Sequence, residues 1–138
     1  MTETRFEVVP VGWVESPLTD LGAAPPQGDE GAPDATIVIR REVRDALSGL
    51  QVGDEVIVLT WLDRGDRQTL DVHPRGDTTR PKHGVFATRS PDRPNPVGLH
   101  AVRLLNIDQG RLRVAGLEAL DGTPVIDIKP VLGAIPDR

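Results

Sequence analysis

The sequence predicts a mainly β protein, a mostly antiparallel sheet curled into a barrel or a sandwich, with one short helix. Three observations carry this. Seven or eight short apolar runs, rich in β-branched residues, are separated by turn signals. Thirteen Pro and 14 Gly are scattered through the 138 residues without a collagen period or a low-complexity run, which disfavours long helices. No strand–helix–strand rhythm supports a doubly wound sheet. The length suits one domain, residues 1–138, large enough to bury roughly two-thirds of its unfolded surface.

The elements follow in order. Phe6, Val8, Val11 and Trp13 lie in a run that reads as a first strand, with Pro10 marking a bulge or an edge. Residues 16–34 carry Pro17, Gly22, Pro25, Pro26, Gly28, Gly31 and Pro33 and read as a loop, long enough to suggest function. Residues 35–40 (ATIVIR) are a second strand. Val43, Ala46, Leu47 and Leu50 follow at helical spacing, and Gly49 can end that helix. Residues 55–62 (EVIVLTWL) form a continuous apolar run, expected to be covered on both faces. A weaker strand is expected over 69–73, a short apolar one over 84–88 and a long one over 99–107. Asp108, Gln109 and Gly110 turn the chain into 111–116, and Asp121-Gly122 precedes a last strand at 125–128.

Composition excludes several chemistries. There is no Cys, hence no disulfide, zinc finger, iron–sulfur cluster or cysteine nucleophile. The formal net charge of −5 argues against a dedicated nucleic-acid binder. The charge is uneven, however. Residues 1–36 hold one basic residue, Arg5, against seven acidic ones, whereas 64–103 hold eight Lys/Arg against four Asp, with all three His. No signal core and no bilayer-length apolar run is visible, so the expectation is a cytoplasmic protein without a membrane partner. The phosphate-cradling glycine motifs and H-E-x-x-H are missing. His73, His83 and His100 are irregularly spaced, so no metal is expected, and they read as ordinary, partly exposed side chains. Ser90 lacks the glycines of a nucleophile elbow.

Two stretches stand out. In Thr88-Arg89-Ser90-Pro91-Asp92-Arg93-Pro94-Asn95-Pro96-Val97-Gly98, three prolines fix φ and remove backbone donors. Asp92 and Asn95 can cap local turns. A stiff loop displaying Arg89 and Arg93 suits an anion or a planar ring, or serves as a rigid connector at a barrel rim. In the second, residues 120–130 (LDGTPVIDIKP), Asp127 and Lys129 alternate with Ile126 and Ile128 and so share one strand face. They are either an exposed ion pair or an acid/base pair beside a pocket.

These stretches, GVFATRSPDRPNPVGLHAVRL (84–104) and LDGTPVIDIKP (120–130), resemble the two signature blocks of the TsaA-like (TrmO) family. Weaker similarity extends to Pro25-Pro26-Gln27-Gly28 and His73-Pro74-Arg75-Gly76. The resemblance implies a small antiparallel β-barrel acting as a homodimer. It implies an S-adenosylmethionine-dependent methyltransferase that modifies N6 of threonylcarbamoyladenosine at position 37 of tRNA. The same fold could instead methylate a small molecule or another nucleoside, or bind a ligand without catalysis. By motif, the cofactor would contact Gln27, Gly28, Leu62, Asp63, Arg89, Leu99 and the turn Leu120, Asp121, Gly122 and Thr123. Arg93 and Asn95 would serve the substrate side, and Asp127 and Lys129 the proton transfer.

Overall fold

The computed structural model describes residues 3–19 and 32–133. Eight strands form among them: β1 (Gly12–Glu15), β2 (Ala35–Ile39), β3 (Glu55–Trp61), β4 (Asp71–Val72), β5 (His83–Gly84), β6 (Val97–Asp108), β7 (Arg111–Val114) and β8 (Pro124–Pro130). Six close a barrel in the order β1-β2-β7-β6-β3-β8, all neighbours antiparallel; β4 and β5 pair separately. Closure is made by Gly12 and Trp13 of β1 opposite Val125 and Pro124 of β8. With no open edge, the barrel leaves no strand as a template for aggregation.

Alternation fills the interior. Val56, Val58 and Thr60 of β3 point inward, as do Val102 and Leu104 of β6 and Leu112 and Val114 of β7. Val14, Ala35, Ile37, Ile39, Leu117, Ala119 and Val125 complete the core. Branched side chains predominate because they are stiff and pack well on a pleat.

Five expectations need correction. The first strand begins at Gly12, and Phe6, Val8 and Val9 are exposed. Pro10 lacks an N–H, and its carbonyl is taken by Arg40 Nε at 2.7 Å, so the ladder starts just after it. The apolar run of β3 is buried on one face; Ile57, Leu59 and Trp61 on the other are half-buried, as on a barrel wall. The expected helix is a 3-10 helix, Arg41–Leu47, without a side-chain cap and with no buried residue. Val43, Leu47 and Leu50 pack partly against the core, and Gly49, at φ 98°, ends the segment. The run 69–73 pairs only at Asp71–Val72. Beyond Gly84 the chain does not continue as a strand. Thr88 N–H bonds back to the Val85 carbonyl and closes a 3-10 turn, with Val85 buried and Phe86 exposed.

Strand direction then decides where function can sit. β1, β3 and β7 end, and β2, β6 and β8 begin, at the same end of the barrel. Three connections, 16–34, 62–96 and 115–123, therefore leave from that end, the two longest of the barrel among them. The opposite end carries the tight Gln109-Gly110 turn, both residues at positive φ, and the 3-10 segment. Long loops on one rim of a rigid wall are the usual place for a site.

Candidate functional site at one end of the barrel

An open cleft of about 1100 Å³ occupies that end. Its walls are Leu62–Gly65 after β3, the proline-rich loop before β6, the start of β6, and the segment from Gly116 to Thr123. Leu62, Leu99 and Leu120 give it apolar faces, and Arg89, Asp63 and His100 give it polar ones.

The proline-rich loop is held by its own side chains. Thr88 Oγ1 accepts from Ser90 N–H at 3.2 Å, and Ser90 Oγ accepts from Asp92 N–H at 3.1 Å. Arg93 Nη1 donates to the carbonyls of Thr88 and Ser90, both at 3.0 Å. Arg93 is thus turned into the loop instead of being displayed, because the prolines leave carbonyls without backbone donors. A second layer docks the loop on the segment after β3. Arg67 Nε donates to the Pro94 carbonyl at 2.7 Å and Nη2 to Asn95 Oδ1 at 2.8 Å, with the guanidinium 5.2 Å from the Trp61 ring centroid. Asp92 Oδ1 accepts from Asp66 N–H at 2.9 Å. Gly65 is required at this junction, since a Cβ there would strike the Pro91 carbonyl.

On the cleft floor, Gly98 lies opposite Thr60 in the β3–β6 register, and His100 follows two residues on, facing the same way. His100 Nε2 lies 2.8 Å from the hydroxyl of Thr60, which is fully buried. Burial, and second the nearby Arg89 guanidinium, push His100 down to about 4, so the ring is uncharged at neutral pH. Among the described residues Arg89 has no ion-pair partner.

The structure brings Leu62, Asp63, Arg89, Arg93, Asn95, Leu99, Leu120 and Thr123 together around this cleft. Asp121 and Gly122 sit behind it, tethering the turn to β1: Asp121 Oδ1 accepts from Ser16 N–H at 3.0 Å, and Gly122 N–H donates to the Val14 carbonyl at 2.7 Å. Gln27 and Gly28 lie outside the described residues, in the connection from β1 to β2. The structure does not bring Asp127 and Lys129 to the cleft. They form an ion pair at 3.1 Å on the outer barrel wall. Asp127 stands opposite Leu59, which stands opposite Leu99, so it is two strands, roughly 10 Å, from the nearest cleft residue in that row. Sequence reasoning missed His100 and Thr60. The available signal was the two-residue step from Gly98 to His100 inside an apolar strand. Among the described residues no cluster of His, Asp and Glu could hold a metal ion, and no helix is long and apolar enough to cross a membrane.

Residues 13–136 match the family model described as the tRNA-methyltransferase O N-terminal domain. A probable S-adenosyl-L-methionine-binding protein of Methanothermobacter thermautotrophicus is 48% identical over 130 residues, covering 94% of this chain and 93% of that protein. An S-adenosyl-L-methionine-binding protein of Archaeoglobus fulgidus is 45% identical, covering 87% of this chain and 85% of its own. The crystal structure of TrmO from Pseudomonas aeruginosa superposes with a TM-score of 0.76 at 31% identity over 98% of this chain. The chain spans 61% of the length of that TrmO structure.

Proposed function

Because the chain belongs to the tRNA-methyltransferase O N-terminal domain family, we propose that it is an S-adenosylmethionine-dependent methyltransferase acting on N6 of threonylcarbamoyladenosine at position 37 of tRNA. On this reading residues 1–138 act as one domain. The observation that carries it is the cleft: the proline-rich loop, the start of β6 and the Leu120–Thr123 turn, far apart in sequence, wall a single space.

The cleft fits the cofactor. Its volume of about 1100 Å³ is ample for a ligand of this class, whose sites span roughly 300–1,000 Å³. Leu62, Leu99 and Leu120 offer apolar faces to an adenine ring. Arg89 suits the carboxylate of the amino-acid end and Asp63 its ammonium. The cofactor, when bound, supplies an activated methyl group on a sulfonium. The protein contributes placement, an effect that can lower a barrier by roughly 7–11 kcal/mol. Arg93 and Arg67 serve it by stiffening the loop that carries Arg89 and Asn95, so that little ordering remains to be done on binding. Asp127 and Lys129, on the outer wall, receive no role at the reacting atoms in this scheme. A homodimer belongs to the proposal as well. Phe86, Val97 and Leu99 around the cleft remain 84%, 40% and 45% exposed, apolar area that a second copy would cover.

Thermal unfolding with and without S-adenosylmethionine or S-adenosylhomocysteine tests the cofactor. Ligand at a hundred times its Kd should add about 2.7 kcal/mol, a rise of several degrees. No shift at millimolar ligand would overturn the assignment. Methyl incorporation into tRNA with and without the threonylcarbamoyl group then tests the acceptor. Equal labelling of both would overturn the choice of nucleoside.

A further inference from the structure

The Thr60–His100 pair fixes more than a position. Thr60 is fully buried, and among the described residues its hydroxyl has one side-chain hydrogen-bond partner, His100 Nε2. A buried hydroxyl proton left without an acceptor is costly. The proton must therefore go to a lone pair on Nε2, which places the ring proton on Nδ1. No buried side-chain nitrogen or oxygen is left unpaired among the described residues, yet Nδ1 has no protein partner there. Nδ1 is consequently open to the cleft that His100 lines. Gly98 makes the room: a Cβ in its place would strike Thr60 Oγ1 and come within 2.9 Å of His100 Nε2.

We propose that His100 is a ligand-contacting residue of this cleft, its Nδ1–H donating a hydrogen bond to an uncharged sp² acceptor atom. That atom is a ring nitrogen of the cofactor's adenine or the carbamoyl oxygen of the methyl-accepting nucleoside. The inference rests on the methyltransferase reading. An uncharged donor suits such a site. A Lys or Arg in this place would set a second positive charge beside the sulfonium, whereas a neutral imidazole orients the ligand without repelling it. On the carbamoyl oxygen it would also stabilise the negative charge that develops as the neighbouring nitrogen gives up its proton.

Two near-isosteric variants and one spectrum decide it. In His100→Asn the amide nitrogen can take the place of Nδ1 and keep the donor toward the cleft. In His100→Gln the amide oxygen reaches the Nε2 position and accepts from Thr60, no group stands where Nδ1 stood, and the cleft donor is lost. Binding of S-adenosylhomocysteine by calorimetry reads the cofactor arm. Turnover on threonylcarbamoyl-modified tRNA at saturating S-adenosylmethionine reads the acceptor arm. The expected result is Asn close to wild type and Gln about tenfold weaker in one arm, which identifies the atom. ¹⁵N NMR of the wild-type ring should show the Nδ1–H tautomer, independently of any variant's folding. An Nε2–H tautomer, or Asn and Gln with equal values in both arms, would overturn the proposal. Wild-type protein that bound neither adenosyl ligand would instead bring down the methyltransferase reading and this contact with it, a distinguishable result.

Discussion

Thr60 Oγ1 lies 2.8 Å from Nε2 of His100 across the β3–β6 pair, and this contact sits where the barrel core gives way to the cleft. It makes His100 a core side chain on one edge and a cleft side chain on the other. A charged ring would put an N–H against the hydroxyl and orphan the buried hydroxyl proton, consistent with the low value of about 4.

Stability therefore depends on pH through this residue. In the unfolded chain a His titrates near 6.5. Between that value and about 4 the unfolded state binds a proton that the folded state refuses. The contribution is fully present above the upper value, falls as pH drops through the window, and is exhausted below the lower one. The total is about 3 kcal/mol. Urea unfolding at about pH 7.5 and about pH 4.5 should show wild type losing more stability than His100→Gln, which lacks the titrating ring. Equal losses would contradict the assignment.

Gly98→Ala should disturb the same contact from the other side. The added methyl meets Thr60 Oγ1 and His100 Nε2, and the first is on a rigid, buried, β-branched side chain that cannot move aside. Overpacking of this kind costs about 1–3 kcal/mol. The variant should unfold at lower denaturant and lose adenosyl-ligand binding. Wild-type binding in a folded variant would show that the pair does not shape the cleft.

How far the sequence reveals all this differs from element to element. The barrel strands β2, β3, β6, β7 and β8 are legible because β-branched residues alternate or run together between Gly and Pro turns. The stretch from Phe6 to Val9 misleads, because an apolar run reads as a strand whether or not a ladder partner exists; here the ladder starts after Pro10. Gly84 to Thr88 misleads for a related reason: side-chain composition carries no information about the Thr88 hydrogen bond that coils it. At the site, the prolines announce a stiff loop, but that Arg93 is turned inward depends on which carbonyls lie free. For His100 the sequence offers only the two-residue step from Gly98; a lone histidine there reads the same whether it faces solvent or Thr60, and the cross-strand register decides between them.

Arg67 holds the proline-rich loop in place and should be tested as a latch. It spans Pro94 and Asn95 with two nitrogens while covering Trp61. Arg67→Ala should cost about 1–2 kcal/mol of global stability, the value of one or two exposed hydrogen bonds and a cation–π contact. Its larger effect should be local, with amide hydrogen exchange across residues 88–97 about tenfold faster and adenosyl-ligand binding weaker. Arg67→Lys should not rescue it, since an ammonium cannot bond both acceptors as the planar fork does. Rescue by Lys would reduce the latch to simple charge.

Asp127→Asn separates the outer wall from the cleft. The carboxylate is paired with Lys129 at 3.1 Å, the two side chains 47% and 62% exposed, and is two strands from Leu99. Exposed pairs of this kind contribute roughly 0–1 kcal/mol. Ligand affinity and turnover should both stay within about twofold of wild type. A large loss of turnover with affinity intact would place Asp127 at the reacting atoms after all.

Salt dependence distinguishes a tRNA acceptor from a small one. Overall the chain is acidic, with net charge −5, but Arg64, Arg89 and Arg93 line the cleft. Arg67 and Arg93 are engaged in holding the loop, whereas Arg89 has no carboxylate partner among the described residues. Only a small set of guanidinium groups is thus available for phosphates, and the polyanion must approach along this basic rim past an otherwise repulsive surface. With about four phosphate contacts, the logarithm of tRNA affinity should fall against the logarithm of salt with a slope of roughly −3. Binding of S-adenosylhomocysteine, measured in parallel, should be nearly flat because no counterions are released. Arg89→Gln should reduce the tRNA slope by about one if that side chain meets a phosphate, and leave it unchanged if it holds the cofactor's carboxylate. A flat tRNA curve would mean that the acceptor is not a polynucleotide.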